Sequence, residues 1–120
     1  VTGYSLLGHG YEVAVASGVA LRFEASRVPV LPGVLEYAAQ GIVTGGAARN
    51  RKYLEGKVSI SEGVPEALLH VLYDPQTSGG LLFAVPPEKA QEVEARFAAA
   101  QLAVWRVGAA ARGEGVQVVA

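Results

Sequence analysis

The groups with which this sequence could do chemistry gather in one stretch, Tyr73 to Leu82, which reads Y-D-P-Q-T-S-G-G-L-L. It holds Asp74, the one aspartate of the chain, then Gln76, Thr77 and Ser78, then Gly79 and Gly80 ahead of an apolar run. A loop of this make-up turns tightly and presents backbone N–H groups. Its amide and hydroxyl side chains could orient a ligand or a partner loop. They could equally cap their own backbone, because Asp-Pro starts turns and short polar side chains bond locally. Ser78 is a poor nucleophile candidate, since T-S-G-G lacks the strand-turn-helix setting of a nucleophile elbow.

A second stretch, T-G-G-A-A-R-N-R-K from Thr44 to Lys52, places a capping hydroxyl before Gly45 and Gly46, with Arg49, Asn50, Arg51 and Lys52 following. Free N–H groups at a helix N-terminus, flexible glycines and nearby cations suit a phosphate. An ordinary capped helix with a solvated basic face would give the same pattern. His9 and His70 stand far apart in sequence, and a lone histidine is usually a structural or surface group. With one Asp, and glutamates mostly on expected helix surfaces, no self-contained metal site is visible.

The elements that must position these residues follow from periodicity. Tyr4 to Ser17 has helical spacing and Gly18 to end it, although Gly8 and Gly10 imply close approach to a backbone or a ligand. Val19 to Phe23 reads as a strand, the proline-bearing Ser26 to Pro32 as a loop, and Gly33 to Gln40 as a short helix stopped at Gly41. Thr44 opens a further helix. Lys57 to Ser61 alternates as a strand, and Pro65 starts a helix through Leu69. Gly80 to Val85 reads as a buried strand, and Glu88 to Ala100 as a helix burying Ala90, Val93 and Phe97. Ala103 to Gly108 and Gly115 to Val119 read as two strands, a terminal hairpin or an adjacent pair. The fold class is α/β or α+β, one domain with a mixed sheet covered by helices.

Ten basic against eleven acidic residues leave no field for nucleic acid or an anionic membrane. The absence of Cys excludes disulfides, thiolate zinc and cysteine nucleophiles within the chain. No window reaches the ~18 apolar residues of a membrane span, so a cytoplasmic protein is expected. The abrupt start in V-T-G, without Met, suggests a piece of a longer polypeptide.

Four motifs then occur in order: V-T-G-Y-S-L-L-G-H-G from Val1, L-P-G-V-L-E-Y-A from Leu31, G-I-V-T-G-G-A-A-R-N from Gly41, and Y-D-P-Q-T-S-G-G-L-L from Tyr73. Together they resemble the C-terminal domain of the selenophosphate synthetase (selenide, water dikinase) family, over nearly the whole chain. The wider superfamily includes aminoimidazole ribonucleotide synthetase and thiamine-monophosphate kinase, and a domain of one of these, or a non-catalytic scaffold module, is the alternative. The resemblance implies an aminoimidazole ribonucleotide synthetase-like C-terminal fold, partly ferredoxin-like. It implies an ATP-dependent phosphotransferase that makes selenophosphate from selenide, with AMP, orthophosphate and magnesium, and a homodimer joined through N-terminal ATP-binding domains. Those domains would carry the reactive Cys or selenocysteine and most metal carboxylates, and one more metal-binding Asp is expected just before Val1. The fragment alone would then be inactive. The positions that would meet the phosphates or the other domain are Thr2, Gly3, Gly45, Gly46, Arg49, Asn50, Thr77, Ser78, Gly79 and Gly80. Ser5 stands where the family usually has Gly, which puts any close backbone approach there in doubt.

Overall fold

The computed structural model describes all of residues 1–120. Five α-helices and four strands follow one another as α1 (Ser5–Ser17), β1 (Ala20–Glu24), α2 (Val34–Ala39), α3 (Gly45–Tyr53), β2 (Val58–Ile60), α4 (Glu66–Leu72), α5 (Ala90–Ala99), β3 (Gly108–Ala111) and β4 (Val116–Val119). The strands form one mixed sheet in the order β2-β4-β1-β3. β1 runs parallel to β4 and antiparallel to β3, while β2 runs parallel to β4.

The sheet's inner face is set by alternation. Leu21 and Phe23 on β1, with Val116 and Val118 on β4, are buried, while Arg22 and Gln117 between them are exposed. The parallel register brings Leu21 opposite Val116 and Phe23 opposite Val118, which makes one apolar surface. Helix α1 lies on it through Leu7 and Ala14, and the helical layer adds Ala47, Leu54, Leu68, Leu69, Leu72 and Tyr73 to the same core. Each fully buried large apolar side chain there is worth roughly 1.5–3 kcal/mol. Gly10 lets α1 approach this closely, because a Cβ at that position would stand 2.8 Å from the ring of Phe23. Of the two readings of the glycines in α1, sheet packing is therefore the one Gly10 serves.

The expected helix boundaries hold at several ends. Gly18, with φ +62°, closes α1 and turns its N–H onto the carbonyls of Ala14 and Val15. The hydroxyl of Thr44 accepts from the N–H of Ala47 and caps α3. α4 runs on to Leu72, three residues past the expected stop, because Leu72 joins the core.

Four expectations about the second half are corrected. Gly80 to Val85 forms no strand, and Leu81 is 91% exposed. An apolar run predicts burial only where a neighbouring strand offers backbone partners, and none flanks this segment before Pro86 and Pro87 end it. Ala103 to Gly108 is likewise irregular up to Val107, and the strand β3 begins at Gly108. β3 and β4 do not form a hairpin or an adjacent pair, since β1 lies between them. α5 starts after a 3-10 turn at Pro87–Lys89, and its Ala90, Val93 and Phe97 are only half-buried, with the ring of Phe97 stacked on Phe83. No helix is long and apolar enough to cross a membrane.

Candidate functional site

The three glycine-bearing motifs, separated by up to 79 positions, converge on one edge of the molecule. The chain start lies against the Asp74 loop as a short extended pair: Gly79 N donates to Val1 O at 3.0 Å, the Val1 ammonium donates to Gly80 O at 2.8 Å, and Gln76 N donates to Thr2 O at 3.1 Å. Gly79 is required here, because a Cβ would come within 2.6 Å of Val1 O. The carbonyl of Thr2 also accepts from Ser5 N at 2.9 Å, the turn that leads into α1.

Asn50, buried on α3, ties this edge together. Its Nδ2 donates to Gly3 O and to Tyr73 O, both at 3.0 Å, so one side chain joins the V-T-G turn, α3 and the start of the Asp74 loop. Asn50, expected from the sequence to face phosphate or the other domain, lies inside the loop group with its amide donors engaged by main-chain carbonyls.

Asp74 is more than a former of its own turn. Its Oδ1 accepts from the hydroxyl of Thr44 at 2.7 Å, while Gln76 Nε2 donates to its Oδ2 at 3.3 Å and to its carbonyl at 3.2 Å. The hydroxyl of Thr44 thus accepts from Ala47 N on one side and donates to Asp74 on the other, and this orients the first turn of α3 against the loop. Gly46 allows the contact, since a Cβ there would overlap the ring of Pro75. From the sequence alone Thr44 reads only as a local cap. The signal available was a hydroxyl before the two glycines and a single Asp in the chain, but no local rule pairs residues 30 positions apart.

Around this frame lie the remaining candidates. Thr2, Gly3, Gly45, Arg49, Thr77, Ser78, Gly79 and Gly80 are exposed and Gly46 is half-buried. The side chain of Arg49 folds back over Gly45, beside the free N–H groups of α3. Arg51 points elsewhere: it pairs with Glu66 of α4, and its guanidinium carbon sits 5.9 Å from the ring centre of Tyr73. The hydrogen bond to Glu66 raises Arg51, and the same bond holds Glu66 below the usual carboxylate range. Burial pushes the Tyr73 phenol up, partly opposed by the Arg51 cation. His70 approaches Glu66 at 3.6 Å.

Ser5 takes a left-handed backbone, φ +70°, and is fully buried. That conformation favours glycine, the residue that the resemblance implies at this position. Ser5 Oγ offsets part of the strain by accepting from Gly8 N at 3.4 Å.

Magnesium does not fit the donor set of this chain. No group of three or more His, Cys, Asp or Glu side chains stands close enough to hold a metal ion, and the one aspartate is bonded to Thr44 and Gln76. The edge offers hydroxyls, glycine N–H groups and one exposed guanidinium, a set that suits an anion or a polar domain surface.

Such a domain, a mixed sheet under helices with a polar glycine edge, belongs to the α/β class. Its family follows from comparison with known proteins. All of residues 1–120 match the model for the AIR synthase related protein, C-terminal domain, and the chain belongs to that family. It is 47% identical over 97 residues to a selenide, water dikinase of Caldanaerobacter subterraneus subsp. tengcongensis, a match covering 81% of this chain and 28% of that protein. It is 44% identical to selenide, water dikinase 2 of Peptoclostridium acidaminophilum, covering 76% of this chain and 26% of that protein. Against the selenide, water dikinase of Nitratidesulfovibrio vulgaris it is 38% identical over 97% of this chain and 33% of that protein. The chain therefore spans about a quarter to a third of the length of the curated relatives it matches.

Proposed function

We propose that this chain is the C-terminal domain of a selenide, water dikinase, an enzyme that forms selenophosphate from selenide and consumes both phosphoanhydride bonds of ATP to give AMP and orthophosphate. The observation that carries the reading is the convergence of the V-T-G, T-G-G and D-P-Q-T-S-G-G motifs on one edge. The identities to proteins of that name support the substrate class.

In this reading the exposed edge forms one wall of a nucleotide site, and an N-terminal domain forms the other. Arg49 and the free N–H groups of α3 meet phosphate oxygens, where positive charge offsets the charge of the polyphosphate. Thr77, Ser78 and Gly80 supply further donors, while the Gly79 N–H is engaged by Val1 O. Asn50, Asp74 and Thr44 hold these groups in place. Magnesium would be held by the carboxylates of the other domain together with the aspartate expected just before Val1, and would neutralise phosphate charge there. The same reading makes the enzyme cytoplasmic and a homodimer through its N-terminal domains.

The reaction itself provides the test. The purified 120-residue chain is expected to form no selenide-dependent AMP, and the same chain joined to its N-terminal domain is expected to form AMP, orthophosphate and selenophosphate. Turnover by the chain alone would overturn the division of labour. A two-domain protein that hydrolyses ATP without selenide dependence, or that phosphorylates another acceptor instead, would overturn the substrate.

A further inference from the structure

The apolar run from Leu81 to Val85 combines β-favouring side chains with a main chain that makes no hydrogen bond to any other backbone group. Leu82 packs against the core, whereas Leu81 is 91% exposed and Phe83 and Val85 are exposed beside it. Peptide groups in an apolar setting need partners, and an extended run without them is a template for another strand.

One end of this run is already paired. Val1 N donates to Gly80 O at 2.8 Å and Gly79 N donates to Val1 O at 3.0 Å, so one residue faces two, as across a β-bulge. The direction is antiparallel, because the next bond, from Gln76 N to Thr2 O, steps back along the loop as the other chain steps forward. The approach is built in, since a Cβ at Gly79 would stand 2.6 Å from Val1 O. The donor on Val1 is an ammonium here and a peptide N–H wherever a residue precedes it, and either makes the bond to Gly80. Continued in the same direction, the chain preceding Val1 runs alongside Leu81 to Val85. Val1 and residues 79–85 line one groove of about 980 Å³, whose other walls include the exposed side chains of Leu31, Ile42 and Val43. Pro86, which has no N–H, ends the open edge.

We propose that the segment immediately before Val1 in the full-length protein occupies this groove as an antiparallel strand along Leu81 to Val85, an inference that rests on the reading of this chain as the C-terminal domain of a longer enzyme. Val1 sets the register. Alternate residues of a strand turn both N–H and C=O to the same side, so Leu82 and Ala84 follow Gly80 and bond the second and fourth residues before Val1. Leu81, Phe83 and Val85 turn their N–H groups away, and Phe83 lies opposite the third residue in a pair without hydrogen bonds. Main-chain bonds hold the segment, and the groove selects apolar side chains on its inward face. Because Gly80 ends the T-S-G-G loop, the strand fixes that loop to the polypeptide leading to the N-terminal domain.

Two measurements on the full-length protein test this pairing. In residue-resolved amide exchange, Leu82 and Ala84 are expected to exchange about 100-fold or more slowly than unbonded amides, and Leu81, Phe83 and Val85 at close to the unbonded rate. Fast exchange at Leu82 and Ala84, or equal rates at all five positions, would overturn the proposal. A cysteine at the third residue before Val1 is expected to form a disulfide with Phe83→Cys on oxidation, since the Cα separation of such a pair, ~4.5 Å, lies in the range a disulfide spans. Moved to the fourth residue, on the opposite face, it is expected to stay reduced. Equal yields from the two positions would show that no register exists and overturn the proposal. A disulfide that joins two molecules would put a second copy in the groove and overturn it as well. Neither measurement uses turnover, so absence of selenide-dependent AMP from the unsubstituted protein, with the amide pattern intact, overturns the enzyme reading alone.

Discussion

The edge built from residues 1–3, 44–50 and 73–80 and the arm from residue 81 to residue 107 make opposite use of their composition. The edge is polar and rich in glycine, the make-up of a mobile surface loop. Yet its parts are joined by hydrogen bonds across large sequence separations, from Asn50 to Gly3 and Tyr73, from Thr44 to Asp74, and between Val1 and the glycine pair. The arm carries Leu81, Phe83, Leu102 and Trp105, side chains that should drive burial, and leaves all four exposed. It is held by the stacked pair Phe83 and Phe97 and by exposed ion pairs such as Lys89 with Glu92 and Arg106 with Glu94. Apolar content alone does not fix a segment. Directed bonds from a buried amide can, because leaving their carbonyls without partners is costly.

The largest effect should come from removing the bond that joins the edge. Asn50→Ala leaves Gly3 O and Tyr73 O without their donor and opens a small void, and is expected to cost about 2–4 kcal/mol in urea-monitored unfolding. A loss below ~1 kcal/mol would mean that water replaces the amide and that the edge is no better fixed than the arm.

A smaller effect is expected in the arm. Phe97→Ala removes a large but half-buried ring that is stacked on one partner, so it should cost only about 1 kcal/mol, well below the ~3–5 kcal/mol of a fully buried Phe. Amide hydrogen exchange should show the same order, with faster exchange along α5 than in α3. Equal protection of the two helices would erase the contrast.

The smallest effect concerns the ion pair between α3 and α4, which flanks the edge. Glu66 is held below its ordinary value by the Arg51 hydrogen bond, so the folded state resists its protonation more than the unfolded chain does. Its contribution is present above the ordinary carboxylate range near pH ~4.3 and is lost as pH falls through the lowered folded value. Both side chains are exposed, so the contribution is at most a few tenths of a kcal/mol and screened by salt. Arg51→Gln should flatten this part of the acid limb of a stability-against-pH curve and change little at pH 7. A large loss at pH 7 would show that the pair does more than join two surfaces.

The sequence by itself determined the local features and the kinship. Gly18 ends α1, Thr44 caps α3, and the alternation in β1 and β4 defines the buried face, each through rules that act over a few residues. Four motifs in order pointed to the family that the comparison of the whole chain then established. Long-range partnership was decided by the tertiary structure alone. Whether an apolar run becomes a strand depends on a neighbour's free backbone groups, which Gly80 to Val85 lacks and β4 finds on both sides. Asn50 could be read as a ligand donor or a core clasp until the fold placed two carbonyls 3.0 Å from its amide. His9, ordinary as a lone histidine, gained a partner for each ring nitrogen only when the turn at Ser5 set Thr2 on one and the helix set Glu12 on the other. Periodicity and capping are properties of neighbours in the chain. A hydrogen bond between distant residues exists only after the core has packed and fixed the distance between them.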